Sequence, residues 1–193
     1  MPNDQNRSIK NISYLGKGFE CSEMECAEFI TNILAIHSHL EPSKPLIIIL
    51  NSYGSYDVYG WMIYDLLHSI KREIKIYAIG CCCSMAMLIL QCASKGQRHV
   101  SAHIYALIHD GKDSWNFKPR LLSRNKINDE RKFEYYEHFN QEYNNVLIQK
   151  IHEKQPSLNL TDFEKEMKHD TYFSATELIN YGLADKIWRE LPI

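Results

Sequence analysis

The chain has 193 residues, 45% hydrophobic and 24% charged, with a formal net charge of −2. That length suffices for one domain with a substantial core and is short for two. The near-neutral charge gives no electrostatic reason for nucleic acid or an anionic membrane as partner. No apolar run approaches the length that spans a bilayer, and the polar start Met1 to Arg7 lacks the apolar centre of a secretion signal, so a cytoplasmic protein is expected.

In chain order, Glu23 to Leu40 carries apolar residues at helical spacing (Ala27, Ile30, Ile33, Leu34, Ile36) and stops before Pro42 and Pro45. Leu46 to Leu50 is a continuous apolar run that predicts a buried strand, ending in the turn-forming Asn51-Ser52-Tyr53-Gly54-Ser55. Tyr56 to Ile70 reads as a helix, the alternating Ile74 to Ile79 as a strand, Ser84 to Ser94 as a helix and His103 to His109 as a strand. This alternation predicts parallel strands joined by helical crossovers. From Arg120 to Lys154, Phe133, Tyr136, Phe139, Tyr143, Val146, Leu147 and Ile151 fall three or four apart, which predicts one long amphipathic helix. Its stripe can fold back on its own core or meet a partner subunit. Two capping boxes follow, Thr161 with Glu164 and Ser174 with Glu177, and Gly182 ends the second helix.

Six cysteines are present: Cys81, Cys82 and Cys83 adjacent, and Cys21, Cys26 and Cys92 dispersed. Adjacent cysteines do not make a zinc knuckle and no C-x-x-C pair exists, so neither metal nor other cofactor is expected and buried free thiols are. A nucleophile at Cys83 is the sharper alternative.

The most informative stretch is Gly80 to Leu90, where a lone serine, Ser84, stands between a strand and a helix that is apolar all round. The free N–H groups and dipole at such a helix start favour the negative charge of an acyl-transfer intermediate. The plainer reading is that Ser84 is an ordinary N-cap. A hydroxyl nucleophile needs a base and a group that orients the base. His109 closes a strand parallel to the one before Ser84, and C-terminal strand ends gather on one sheet edge. For the third member Asp170, Asp113 and Asp57 stand open, while Asp110 is poorly placed beside His109 because neighbouring strand residues face opposite ways.

These segments together resemble one family. Asn51-Ser52-Tyr53-Gly54-Ser55 with Gly60-x-x-Ile63-Tyr64-Asp65 resembles the Asn-Ser-Pro-Gly-Gly turn and helix of the ClpP-type serine peptidases, the proteolytic subunits of Clp protease. Gly80 to Met85 is similar to their Gly-x-x-x-Ser-Met segment, and Lys95-Gly96-x-Arg98 and Leu107-Ile108-His109 to the segments that follow it. Asp170-x-x-Phe173-Ser174-Ala175-x-Glu177 with Tyr181 to Asp185 is similar to the closing segment that carries the family's aspartate.

The resemblance runs from Asn11 to Trp188 and implies a Ser84–His109–Asp170 triad, with an oxyanion hole from the backbone N–H groups of Ser55 and Met85. It implies an α/β fold, a crotonase-like β/α spiral, as one domain over residues 1–193, with a head (11–119 and 155–188) and a long handle helix (120–154). The activity implied is that of a serine endopeptidase acting on peptides or unfolded protein inside homo-oligomeric rings, fed by a Clp-type ATPase.

The chain departs from the pattern in places. Ser55 stands for the second turn glycine and Tyr53 for the turn proline, and Asp110 to Pro119 is bulkier and more charged than the glycine-rich strand expected there. Few residues precede the first core segment, which suggests a divergent member working without the usual ATPase. Two other functions compete: a catalytically silent ring or scaffold subunit, and a crotonase-fold acyl-CoA enzyme, which would need two backbone N–H groups but no triad.

Overall fold

A computed structural model describes residues 11–16, 21–109, 126–159, 161, 163, 165 and 169–191. The protein is mixed α/β. Seven strands form one sheet: β1 (Ile12–Leu15), β2 (Leu46–Ser52), β3 (Ile74–Cys83), β4 (Arg98–Val100), β5 (Tyr105–Ile108), β6 (Thr171–Phe173) and β7 (Lys186–Ile187). The helices with described bounds are α1 (Glu23–His39), α2 (Asp57–Ser69), α3 (Met85–Leu90), α4 (Lys126–Lys154) and α5 (Ala175–Tyr181).

The strands run in the order β1-β2-β3-β4-β7, all parallel. The long strand β3 has two partners on one side. Its first half, Ile76–Ala78, pairs with β4, and its end, Cys81–Cys83, pairs with β5. Among the described residues, only the β5–β6 pair is antiparallel. The expected parallel sheet is therefore present, with one antiparallel addition that the strand–helix alternation did not reveal.

Both faces of β2 are covered, which is why its sequence is a continuous apolar run rather than an alternating one. Leu46, Ile48 and Leu50 enter the main core with Cys26, Phe29 and Ile33 of α1 and Ile63 and Leu67 of α2. Ile47 and Ile49 pack on the other face with Tyr77 and Trp188. Every residue of α3 is buried, so its helix has no polar face to show. All six cysteines are buried, and none forms a disulfide.

Several boundaries differ from those expected. Strand β3 continues through Gly80 to Cys83 because β5 offers it a second partner and Asn51 Oδ1 accepts the Cys81 N–H at 3.1 Å. Strand β5 begins at Tyr105, and α3 ends at Leu90 in a turn. Of the long helix, Arg120 to Asn125 lies outside the described residues, as does Glu164 of the first capping box. The Ser174–Glu177 box is formed, and a second box, Ser22 with Glu25, opens α1. The aromatic stripe of α4 turns home in its second half, where Tyr143, Leu147 and Ile151 are buried in the core.

One polar clamp closes the far edge. Arg98 holds Asp185 bidentately (Nε–Oδ2 3.1 Å, Nη2–Oδ1 2.7 Å) and donates through Nη1 to Gln91 Oε1 at 2.7 Å and the Gly182 carbonyl at 2.6 Å. Burial raises the Asp185 carboxyl's proton affinity, but hydrogen bonds and charge from Arg98 outweigh it and hold the group below the usual aspartate range.

Candidate active site

Ser84 follows directly on β3, and its N–H donates to the Leu107 carbonyl at 2.9 Å, one further rung of the β3–β5 ladder. It is the only non-glycine residue with positive φ among the described residues (φ 52°, ψ −125°). That region favours glycine, and a side chain held there costs about 1–3 kcal/mol. The Ser84 side chain makes no capping hydrogen bond to α3. The ordinary N-cap reading is thereby overturned, since such a cap sits in extended backbone and accepts from the helix. Ser84 lines a pocket instead.

The turn after β2 comes up beside it. A Cβ on Gly54, whose φ is +113°, would lie 3.0 Å from Ser84 Cβ and 3.3 Å from Met85 N, so only glycine permits this approach. Ser52 fixes the turn: its Oγ accepts the Gly54 N–H at 3.0 Å and donates to the Gly54 carbonyl at 3.1 Å. Cys21 N–H donates to the same carbonyl at 2.8 Å. Carbonyl and N–H point opposite ways across a trans peptide, so the Ser55 N–H faces away from Cys21. Ser55 itself has no positive φ, so the glycine-to-serine departure brings no backbone strain. Met85 N–H is the first of α3, where no carbonyl of the helix is available to accept it.

His109 lies just past β5. Strands β5 and β6 pair Ala106 with Phe173, Leu107 with Tyr172 and Ile108 with Thr171. Continuing this register sets His109 opposite Asp170, and the contact is formed: His109 Nδ1 to Asp170 Oδ1 is 3.8 Å. That is an ion-pair distance and too long for a hydrogen bond. The side chain of Asp170 is 59% exposed and that of His109 20%. Among the described residues, Ser84 Oγ and His109 are not hydrogen-bonded to each other, although both line one pocket with Met85.

Of the other aspartates considered, Asp110 and Asp113 lie outside the described residues. Asp57, at the start of α2, lines the pocket with Ser84 and His109. Burial raises its carboxyl's proton affinity and the nearby His109 lowers it, with burial prevailing. Burial also pushes the Cys83 thiol up to about 12, with the Cys81 thiol adding to it, so Cys83 carries negligible thiolate at neutral pH and fails as a nucleophile.

Tyr143 was legible only as part of the α4 stripe. In the structure its hydroxyl donates to the Ser84 carbonyl at 3.2 Å and ties α4 over the nucleophile position. Trp61 and Phe139 are also in the pocket, with rings 6.1 Å apart and nearly parallel at 29°. Trp61 follows Asp57 by one helical turn, a spacing that signals a shared face. Nothing in the sequence tied Phe139 to it.

Ser84 just past β3, His109 just past β5 and Asp170 just before β6 thus come to one end of an otherwise parallel run of strands. The profile of the Clp protease family matches residues 18–190. The chain belongs to the Clp protease family, a family of peptidases. It is 24% identical over 149 residues to the ATP-dependent Clp protease proteolytic subunit 2 of Bifidobacterium longum, covering 76% of this chain and 65% of that protein. It is 26% identical over 174 residues to the ATP-dependent Clp protease proteolytic subunit of Chlorella vulgaris, covering 88% of this chain and 79% of that protein. The chain thus spans just under two thirds of the bacterial relative and is a divergent member. No helix among the described residues is long and apolar enough to cross a membrane.

Proposed function

We propose that the protein is a serine endopeptidase of Clp type, with Ser84 as nucleophile, His109 as general base and Asp170 as the group that orients the base. The observation that carries this reading is the backbone of Ser84, strained at φ 52° with its hydroxyl uncommitted to the helix, in one pocket with His109. A scaffold gains nothing from that strain.

In the reaction, Ser84 Oγ adds to the peptide carbonyl carbon as its proton passes to His109 Nε2. The carbonyl oxygen becomes an oxyanion facing the N–H groups of Met85 and Ser55, donors worth about 3 kcal/mol each in such sites. His109 then gives the proton to the leaving amine, the C–N bond breaks, and an acyl ester remains on Ser84. Water, deprotonated by His109, releases the acid and restores the hydroxyl. Asp170 holds the imidazole through Nδ1 and offsets its charge. The 3.8 Å contact is within the range that tightens in the reacting complex.

The same reading takes the chain as one cytoplasmic domain whose α4 is a handle between subunits, assembled into rings around peptide or unfolded-protein substrate. The test is intact mass after fluorophosphonate treatment. One adduct on the wild type and none on Ser84→Ala is expected. No adduct on a protein that elutes as an oligomer would make it a silent ring subunit.

A further inference from the structure

The pocket beside Ser84 combines aromatic walls with one carboxylate. Trp61 and Phe139 stack to form a flat apolar wall, and Tyr143 closes another side with its hydroxyl already committed to the Ser84 carbonyl. Asp57 sits on the same helix face as Trp61, half-buried. Its carboxylate is not the cap of α2, and among the described residues it takes part in no hydrogen bond or ion pair. Trp61 Nε1 lies buried nearby on α2 without an acceptor among the described residues, so its N–H is not directed at Asp57 either.

A partly desolvated carboxylate without a donor is unfavourable unless a cation completes it. Burial raises the proton affinity of Asp57. The attraction of His109 is too weak to offset the burial of Asp57 and does not fill the role. The missing partner is therefore a cation reaching in along the aromatic wall. Lysine and arginine suit this shape: their stems cover apolar surface, their charged heads attract ring faces, and their ends donate to a carboxylate. Because Ser84 and Met85 belong to the same pocket, the side chain that enters is the one next to the carbonyl under attack.

We infer that this pocket selects a lysine or arginine immediately before the scissile bond, with Asp57 as the specificity-determining residue. The inference rests on the reading of Ser84 as acylating nucleophile, so its test includes a binding arm that needs no catalysis. Benzamidine, a cationic side-chain mimic, and benzamide, its uncharged counterpart, are titrated into the wild type and Ser84→Ala by ligand-observed NMR. Benzamidine is expected to bind both proteins and benzamide neither, and Asp57→Asn is expected to weaken benzamidine about tenfold or more. Equal binding of the two probes, or benzamidine binding indifferent to Asp57→Asn, overturns the inference.

The catalytic arm compares fluorogenic peptides with lysine or leucine before the bond. The wild type is expected to favour lysine by about 100-fold in kcat/KM, Asp57→Asn to abolish that preference, and Asp57→Glu to keep most of it. A wild type that prefers leucine overturns the inference. So does an Asp57→Asn that slows both peptides equally, which would make Asp57 a positioning residue for His109. Fluorophosphonate labelling separates the two claims. A labelled Ser84 without lysine preference sinks only the specificity. An unlabelled Ser84 with Asp57-dependent benzamidine binding sinks the peptidase reading and leaves the cation pocket standing.

Discussion

Two side-chain pairs stand on the two sides of the sheet, and they are built differently. At the β4–β7 edge, Arg98 and Asp185 meet at 2.7 Å, each side chain less than a fifth exposed, with further bonds to Gln91 and Gly182. At the β5–β6 edge, His109 and Asp170 stand 3.8 Å apart, with the aspartate largely in solvent. In the first pair all three guanidinium nitrogens donate, two of them to the Asp185 carboxylate. The second is held only by strand register, which leaves the side chains free to adjust. A pair that stabilises the fold is built closed, whereas the pair proposed as base and orienting group has room to move.

Four substitutions sharpen or break this contrast. Ser84→Ala should lower peptide hydrolysis by about 10⁵-fold with no loss of stability, measured by active-site-normalised kinetics and urea unfolding together. Asp185→Asn should cost about 3 kcal/mol in urea unfolding, because it leaves the Arg98 charge half-buried without its partner. Its pH dependence has a definite sign. The folded-state proton affinity of Asp185 is depressed, so its contribution is complete above the unfolded carboxyl's pKa of about 3.9 and lost as pH falls through the folded value. The wild type should therefore show an acid-side fall in stability that Asp185→Asn lacks.

Asp170→Asn should slow hydrolysis about 100-fold and leave the unfolding midpoint in place, less than the roughly 10⁴-fold seen where the aspartate is buried against the histidine. A 10⁴-fold loss would mean that the pair closes in the working assembly, and a fall in stability would erase the contrast. Smallest, Ser174→Ala should cost about 1 kcal/mol by removing the cap of α5 just beyond β6, with activity retained.

The long, strongly patterned elements were legible in the sequence. The run Leu46 to Leu50, the helical spacing of Glu23 to Leu40 and the Ser174–Glu177 box each encode their structure within one segment. Strands β1, β4, β6 and β7 have four residues or fewer and show no period, so only pairing defines them. The extension of β3 to Cys83 depends on β5, twenty-odd residues on. The same division applies to the site. Residue patterns alone left Asp170, Asp113 and Asp57 level, and family resemblance favoured Asp170. The β5–β6 register supplies the physical reason that it lies by His109. Asp57 in the pocket, Trp61 against Phe139 and Tyr143 on the Ser84 carbonyl all join separate segments, and nothing local announces them.

The positive φ of Ser84 also bears on how this protein could age or be engineered. Glycine adopts that backbone freely, so Ser84→Gly should yield a chain more heat-resistant by about 1 kcal/mol and wholly inert. Screens that reward thermal tolerance alone would drift toward it. If Ser84 is the nucleophile proposed, durability and chemistry pull in opposite directions at one backbone angle.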